Sequence, residues 1–306
     1  MRITALYTLR AFQFFLHIMA GGGIIGSNVV IFGGNVRMAA ECNGNCEGCS
    51  SKGSCNVIPK EKLNEYSHIG KVIGIVSGKG GVGKSTVTTL IARKLVAEGK
   101  RVGIMDADLT GPSIPKMFGI KGQLYGTSMG MEPAVSEEGV KIVSMNLLLE
   151  TEESTVILRG PVLAGVIKQF WSEVNWGDLD YLLIDMPPGT GDIPLTIYQS
   201  IPVDGIVIVT SPQDLVRMIV MKAYNMAEQM NIKVLGLVEN YSYFVCPDCN
   251  ARHKIFGESG IEELAEEINT PVLARLPIMP SLANAADNGS KAAEDVDINL
   301  DPVLEA

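Results

Sequence analysis

Basic residues are in deficit. The 306 residues carry 25 Lys and Arg against 34 Asp and Glu, for a net charge of −9. A general nucleic-acid surface needs basic patches that neutralise phosphates, so this balance disfavours nucleic acid as a partner. Cysteine is missing from the body of the chain. All six fall in two groups: Cys42, Cys46, Cys49 and Cys55, and then Cys246 and Cys249. That pattern argues against a disulfide framework and points to metal ligands or redox groups. The C-terminus is acidic and lacks the basic or amphipathic helix that would hold a protein on a bilayer. No stable membrane association is expected.

What is present is a glycine-rich loop, Gly78-Lys79-Gly80-Gly81-Val82-Gly83-Lys84-Ser85-Thr86. The apolar run at 72–76 precedes it and a helical pattern follows at 87–98. Strand, loop and helix in that order form the context of a G-x-x-x-x-G-K-[ST] nucleotide site. Glycines let backbone N–H groups close around phosphate oxygens, and the helix N-terminus adds positive dipole. Lys84 is expected to reach the β- and γ-phosphates of ATP, and the Ser85 hydroxyl to ligate Mg²⁺. Lys79 is a second lysine near the start of the loop. This resembles the deviant Walker A of the class that includes the nitrogenase iron protein and the MinD and ParA ATPases. The resemblance implies that Lys79 contacts the nucleotide of a facing subunit, in an ATP-sandwiched homodimer.

Carboxylates follow at predicted strand ends. The strand at 101–105 leads into Asp106-Ala107-Asp108, where open α/β sheets bind ligands. Asp108 is a candidate to orient attacking water, with Asp106 a further Mg²⁺-site group; a turn or N-cap role is the alternative. Tyr181-Leu182-Leu183-Ile184-Asp185 is an apolar strand ending in aspartate, a Walker B pattern that holds the Mg²⁺ shell. Residues 186–192 read as a phosphate-sensing switch. Further strands are expected at 140–145, 205–210, 232–238 and 272–276, with helices at 162–174, 214–230, 257–268 and, briefly, 280–288. The stretch 121–138 reads as loop. Trp171 and Trp176 read as packing, and Arg159 as a weak interface candidate. The predicted fold class is α/β: a doubly wound, mostly parallel sheet with helices on both faces.

The first 37 residues differ from the rest. Arg2 and Arg10 precede an apolar run and a glycine-rich tract to Gly34, interrupted by Gln13, His17, Ser27 and Asn28. Taken alone they resemble a signal peptide or a weak membrane span. Export conflicts with the need for ATP and reduced thiols, which favours a cytoplasmic protein. The expected reading is an upstream start assigned in error, with Met38 as initiator. A disordered extension and a membrane anchor are the alternatives. The division is then 1–37, a Cys-rich segment and linker at 38–70, an ATPase domain at 71–290, and an acidic, frayed tail at 291–306.

The first cysteine group lies in a polar stretch that a metal would have to order, and its spacing suits zinc or an iron–sulfur cluster equally. Cys246 and Cys249 form a C-x2-C, too few thiolates for a four-thiolate site. Two copies related by a two-fold axis would supply four. A redox pair, or half a zinc knuckle with His253, is the alternative.

Residues 38–290 together resemble the Mrp-type iron–sulfur cluster carriers, also called the ApbC or Nbp family. The similarity rests on 78–86, on Asp106 to Pro115 with its Gly-Pro-Ser-Ile-Pro, on Arg159-Gly160-Pro161, on 184–192, on Glu239-Asn240 and on Cys246 to Cys249. It implies a homodimer holding a [4Fe-4S] cluster between paired Cys246 and Cys249. ATP would be coupled to cluster loading or to transfer to apo iron–sulfur client proteins. It also implies that Asn240 contacts adenine, and that the amino-terminal cysteines form a ferredoxin-like segment. A positional ATPase of the MinD or ParA kind and an electron-transfer ATPase like the nitrogenase iron protein are the competing readings.

Overall fold

The strands at the centre are apolar on both faces because helices must cover both. In a computed structural model, residues 59–108, 111, 113–149, 160–212, 216–280 and 296–306 are described. The first cysteine group, Arg159, the extension before Met38 and most of the segment 280–288 lie outside them. Strand β1 (His68–Ser77) is central and fully buried from Val72 onward. Near-continuous burial of Val72, Ile73, Ile75 and Val76 is the signature of an interior parallel strand.

The other strands are β2 (Val102–Asp106), β3 (Tyr125–Thr127), β4 (Gly130–Glu132), β5 (Ala134–Val135), β6 (Lys141–Ser144), β7 (Asp178–Asp185), β8 (Gly205–Thr210), β9 (Lys233–Val245), β10 (Arg252–His253) and β11 (Val272–Pro277). Nine form one sheet in the order β10-β9-β8-β1-β7-β2-β6-β5, with β11 also on β9, while β3 and β4 form a separate hairpin. All pairings in the large sheet are parallel except β5 on β6 and β10 on β9.

Helix α1 (Lys84–Ala97) joins β1 to β2. It buries Val87, Leu90, Ile91 and Leu95, spaced by three and four residues on one face. Gly99 ends it in the left-handed conformation, its N–H on the Val96 carbonyl. Then come α2 (Ile114–Met117), α3 (Gly160–Ser172), α4 (Asp192–Ser200), α5 (Val216–Gln229), α6 (Ile261–Glu267) and α7 (Asp301–Leu304). The path from β1 to β2 and the path from β8 to β9 run in opposite directions across the sheet. Right-handed crossovers then place α1 and α5 on opposite faces, as a doubly wound fold requires. Trp171 and Trp176 are core residues, 3 % and 0 % exposed, each donating its indole N–H to a backbone carbonyl.

Four expectations need correction. Residues 121–138 are not plain loop: β3, β4 and β5 lie there, short strands whose residues are too polar and glycine-rich to show an apolar period. Residues 59–70 are not a free linker. Lys60 Nζ donates to the Tyr198 and Ile201 carbonyls, Glu61 N–H to Ser200 O, and His68 to Gly70 already belong to β1. The last residues are not frayed, because Ile298, Leu300 and Val303 enter the core and Lys94 Nζ reaches the Ile298 carbonyl at 2.7 Å. Their acidic neighbours stay on the surface, and burial of the alternating apolar residues outweighs that charge. Finally, β9 runs on past residue 238 to Val245.

Candidate functional site

Strand register assembles the site. Ile75 lies opposite Asp185, and Asp185 opposite Asp106, so β1, β7 and β2 end at one edge of the sheet. That edge is the carboxyl end, where the loop 78–86 leaves β1. Gly81 and Gly83 both have φ of 81°, the left-handed region that turns successive N–H groups inward. A pocket of about 250 Å³ opens there. Gly80, Gly81, Gly83, Lys84, Ser85 and Thr86 line it, and Asp108 lines it too.

The other loop residues have different tasks. Gly78 lets α5 approach: a Cβ there would sit 1.7 Å from Ile219 Cγ2. Val82 is buried, and its carbonyl accepts a 3.0 Å hydrogen bond from Asn240 Nδ2. Lys79 does not line the pocket of its own chain; its carbonyl accepts from Ser77 Oγ at 3.1 Å.

Asp185 is the hub. It is fully buried and accepts from Ser85 Oγ at 2.6 Å and Thr88 Oγ1 at 2.7 Å, while Lys84 Nζ lies 2.8 Å away. Lys84 Nζ is itself buried, and the contact with Asp185 lacks hydrogen-bond geometry. Beyond that ion pair the buried ammonium has N–H groups left over, and a phosphate oxygen would satisfy them. Asp106 is also fully buried, accepting from Ser144 Oγ at 3.0 Å. Burial, with the Asp185 charge adding to it, pushes the Asp106 carboxyl up to about 8, against the opposing pull of Lys84 and Ser144. The Asp108 N–H leans on Asp106 Oδ1 at 3.3 Å. In the expected switch, Gly189 donates its N–H to the Ser77 carbonyl at 2.8 Å, which holds that turn against the start of the loop.

The cysteine pair sits at the far end of β9. Cys246 closes a tight turn onto β10: its N–H donates to the Ala251 carbonyl, and its own carbonyl accepts from Asn250, which takes φ 57°. Backbone N–H groups of Asp248 and Cys249 aimed at the Cys246 sulfur hold that thiol below the ordinary range, with the Cys249 side chain helping. Cys249 is exposed. Among the described residues no three His, Cys, Asp or Glu side chains gather as a metal site, so His253 does not complete one with the pair. Exposed Val245, Ile255 and Phe256 flank the turn.

Sequence reasoning missed several members. Thr88 was legible, one turn beyond Lys84 on the same helix face. Ser144 and Tyr241 were not, because they arrive through sheet register and through a left-handed φ of 61° at Tyr241. Asn240 was expected at the base of the nucleotide. Its Nδ2 is placed on the loop, and its Oδ1 accepts the Tyr241 N–H.

Comparison with known proteins agrees with this geometry. The family described as NUBPL iron-transfer P-loop NTPase, of the ParA group, matches residues 68–301. A relative from Clostridium perfringens, named iron-sulfur cluster carrier protein, is 44 % identical over 271 residues, covering 83 % of this chain and 95 % of its own length. A nucleotide-binding protein of Archaeoglobus fulgidus, solved in complex with ADP, superposes with a TM-score of 0.67 at 44 % identity, over 75 % of this chain and 90 % of its own. MinD of Pyrococcus horikoshii shares the fold, with a TM-score of 0.52 at 21 % identity over 74 % of this chain and 88 % of its own. The loop, the buried aspartates behind it and a match that runs from β1 to α7 lead to one assignment: the chain belongs to the NUBPL iron-transfer P-loop NTPase family.

Proposed function

We propose that the chain hydrolyses ATP and carries a [4Fe-4S] cluster, held between Cys246 and Cys249 of two copies, to apo-proteins of the cytoplasm. The observation that carries this reading is the pair of thiols on a turn that extends the same strand, β9, whose middle touches the nucleotide loop. At this turn one chain offers two thiols, and a four-thiolate cluster built there needs a second copy. The name of the Clostridium perfringens relative supports cluster carriage, and the ADP bound to the Archaeoglobus fulgidus protein supports nucleotide binding.

At the phosphates the work is positioning and charge neutralisation. Lys84 binds the phosphate oxygens, and Lys79 from the facing copy adds a second cation. Ser85 Oγ and Asp185, already in contact, are the hard oxygen donors that would hold Mg²⁺ beside the phosphates. Mg²⁺ would supply further charge neutralisation when bound. Asp108, on the pocket wall, orients the attacking water. The N-terminal cysteines Cys42, Cys46, Cys49 and Cys55 are read as a second cluster site.

The test is anaerobic reconstitution with iron and sulfide. The native chain should develop broad visible charge-transfer absorbance and sediment as a dimer. Cys246→Ala and Cys249→Ala should lose cluster transfer to an apo-ferredoxin while nucleotide affinity is kept. Retained transfer in both variants would overturn the assignment.

A further inference from the structure

Three consecutive residues of β9 touch two different parts of the molecule. Asn240 holds the Val82 carbonyl of the nucleotide loop, and Tyr241 lines the phosphate pocket. Gly83 is part of the same contact, since a Cβ there would stand 2.1 Å from Asn240 Nδ2 and 3.2 Å from the Tyr241 hydroxyl. Glu239, one residue earlier, faces the other way. It is 1 % exposed, and both its carboxylate oxygens are taken by serines. Ser242 Oγ donates to Oε2 at 2.6 Å, and Ser259 Oγ donates to Oε1.

Those two serines bracket the cysteine turn. Ser242 lies on β9, four residues before Cys246, and Ser259 follows β10 on the return path. One buried carboxylate therefore closes the base of the excursion that carries both thiols. Ser259 Oγ also accepts the N–H of Ile261, the first residue of α6, which anchors the return to the body of the domain. The strand is bent at this place. Its pairing with β11 goes from Arg275 opposite Glu239 to Pro277 opposite Tyr243, a register shift that contains the left-handed Tyr241. A tyrosine in that conformation is strained and persists only where its surroundings hold it.

We propose that Glu239 is a positioning residue that ties the thiol-bearing turn to the nucleotide loop, so that filling the phosphate pocket moves or tightens the turn through residues 239–241. The link rests on the proposed function only for its biological meaning. Its parts are the Asn240–Val82 bond on one side and the Glu239–Ser242–Ser259 clasp on the other. A displacement of Asn240 and Tyr241 has no slack before it reaches the clasp, because Glu239 is the adjacent residue and is fixed at both oxygens.

The test uses the full-length, reduced protein without cluster, with and without Mg-ADP. Hydrogen exchange is followed over residues 242–259, and alkylation of Cys246 and Cys249 by iodoacetamide is followed by mass spectrometry. In the native chain Mg-ADP should change one or both rates by about fivefold, the lower end of ordinary coupling between sites. Glu239→Gln keeps the shape and the Ser259–Ile261 bond but weakens both serine bonds to the carboxylate. It should lose this response while binding Mg-ADP with native affinity by calorimetry. Ser259→Ala, on the partly exposed return path, should lose the response as well and serves if Glu239→Gln folds poorly. A native turn indifferent to Mg-ADP, or a response kept in both variants, overturns the proposal. Cluster loading is measured separately by absorbance. Protein that responds to Mg-ADP yet takes up no iron refutes the carrier reading and upholds the link, whereas protein that loads cluster without the response refutes the link alone.

Discussion

Gly83 and Asn240 should behave as one unit, and a double-mutant cycle can measure it. Gly83 has φ 81°, where an alanine costs about 1–2 kcal/mol. Its new Cβ would also stand 2.1 Å from Asn240 Nδ2, so the amide must swing away from the Val82 carbonyl. Leaving that buried pair unsatisfied costs about another 1–3 kcal/mol. Gly83→Ala should therefore destabilise the nucleotide-free protein by about 2–5 kcal/mol. The assay is urea unfolding, with a lower midpoint at unchanged slope. In an Asn240→Ala background the amide bond is already gone, and the same glycine change should cost only about 1–2 kcal/mol. If the two substitutions add within about 0.5 kcal/mol, the amide and the loop are independent and the reasoning fails.

Other consequences follow from burial and charge. Asp106 keeps its proton to about 8 in the folded chain, whereas its ordinary value is 3.8. The folded form then binds more protons between those values, so the stability this group contributes is complete below about 4 and is lost as pH rises toward 8. Urea midpoints of the nucleotide-free protein across that range should fall with pH, and Asp106→Asn should flatten the curve. Cys246, whose thiolate is favoured by backbone N–H groups, should react with iodoacetamide at a lower pH midpoint in the folded apo-protein than in urea; equal midpoints would remove the case for a prepared ligand. Leu300→Ala should destabilise by about 2–5 kcal/mol, since the side chain is 3 % exposed, and a change near zero would mean that the tail does not pack.

The nucleotide loop and the Walker-type aspartate were legible in the chain because their signals are local. A glycine pattern between an apolar strand and a helix, or a carboxylate at the end of an apolar run, states its own backbone geometry. The cysteine pair was equally plain, since spacing alone marks two thiols on one turn. Nothing local said that β9 continues through Glu239 and Asn240. Two polar residues end a strand in any periodic reading, and here Glu239 is buried only because Ser242 and Ser259 come to it from either side of the turn. The tail hides its packing for a related reason: its acidic residues are visible in sequence, but the partners that hold it, Leu273 on β11 and Lys94 on α1, lie elsewhere in the chain.

Residue order by itself determined which chemistry the molecule can hold: a phosphate loop, carboxylates at strand ends and a thiol pair. Those features depend on contacts within a few residues. Tertiary structure alone decided that Asp106 and Asp185 are both fully buried and directly opposite each other, that Asn240 braces the loop, and that one strand runs from that brace to Cys246. Each of these is set by the register between strands distant in sequence, and register is a property of the whole sheet that no short stretch of chain encodes.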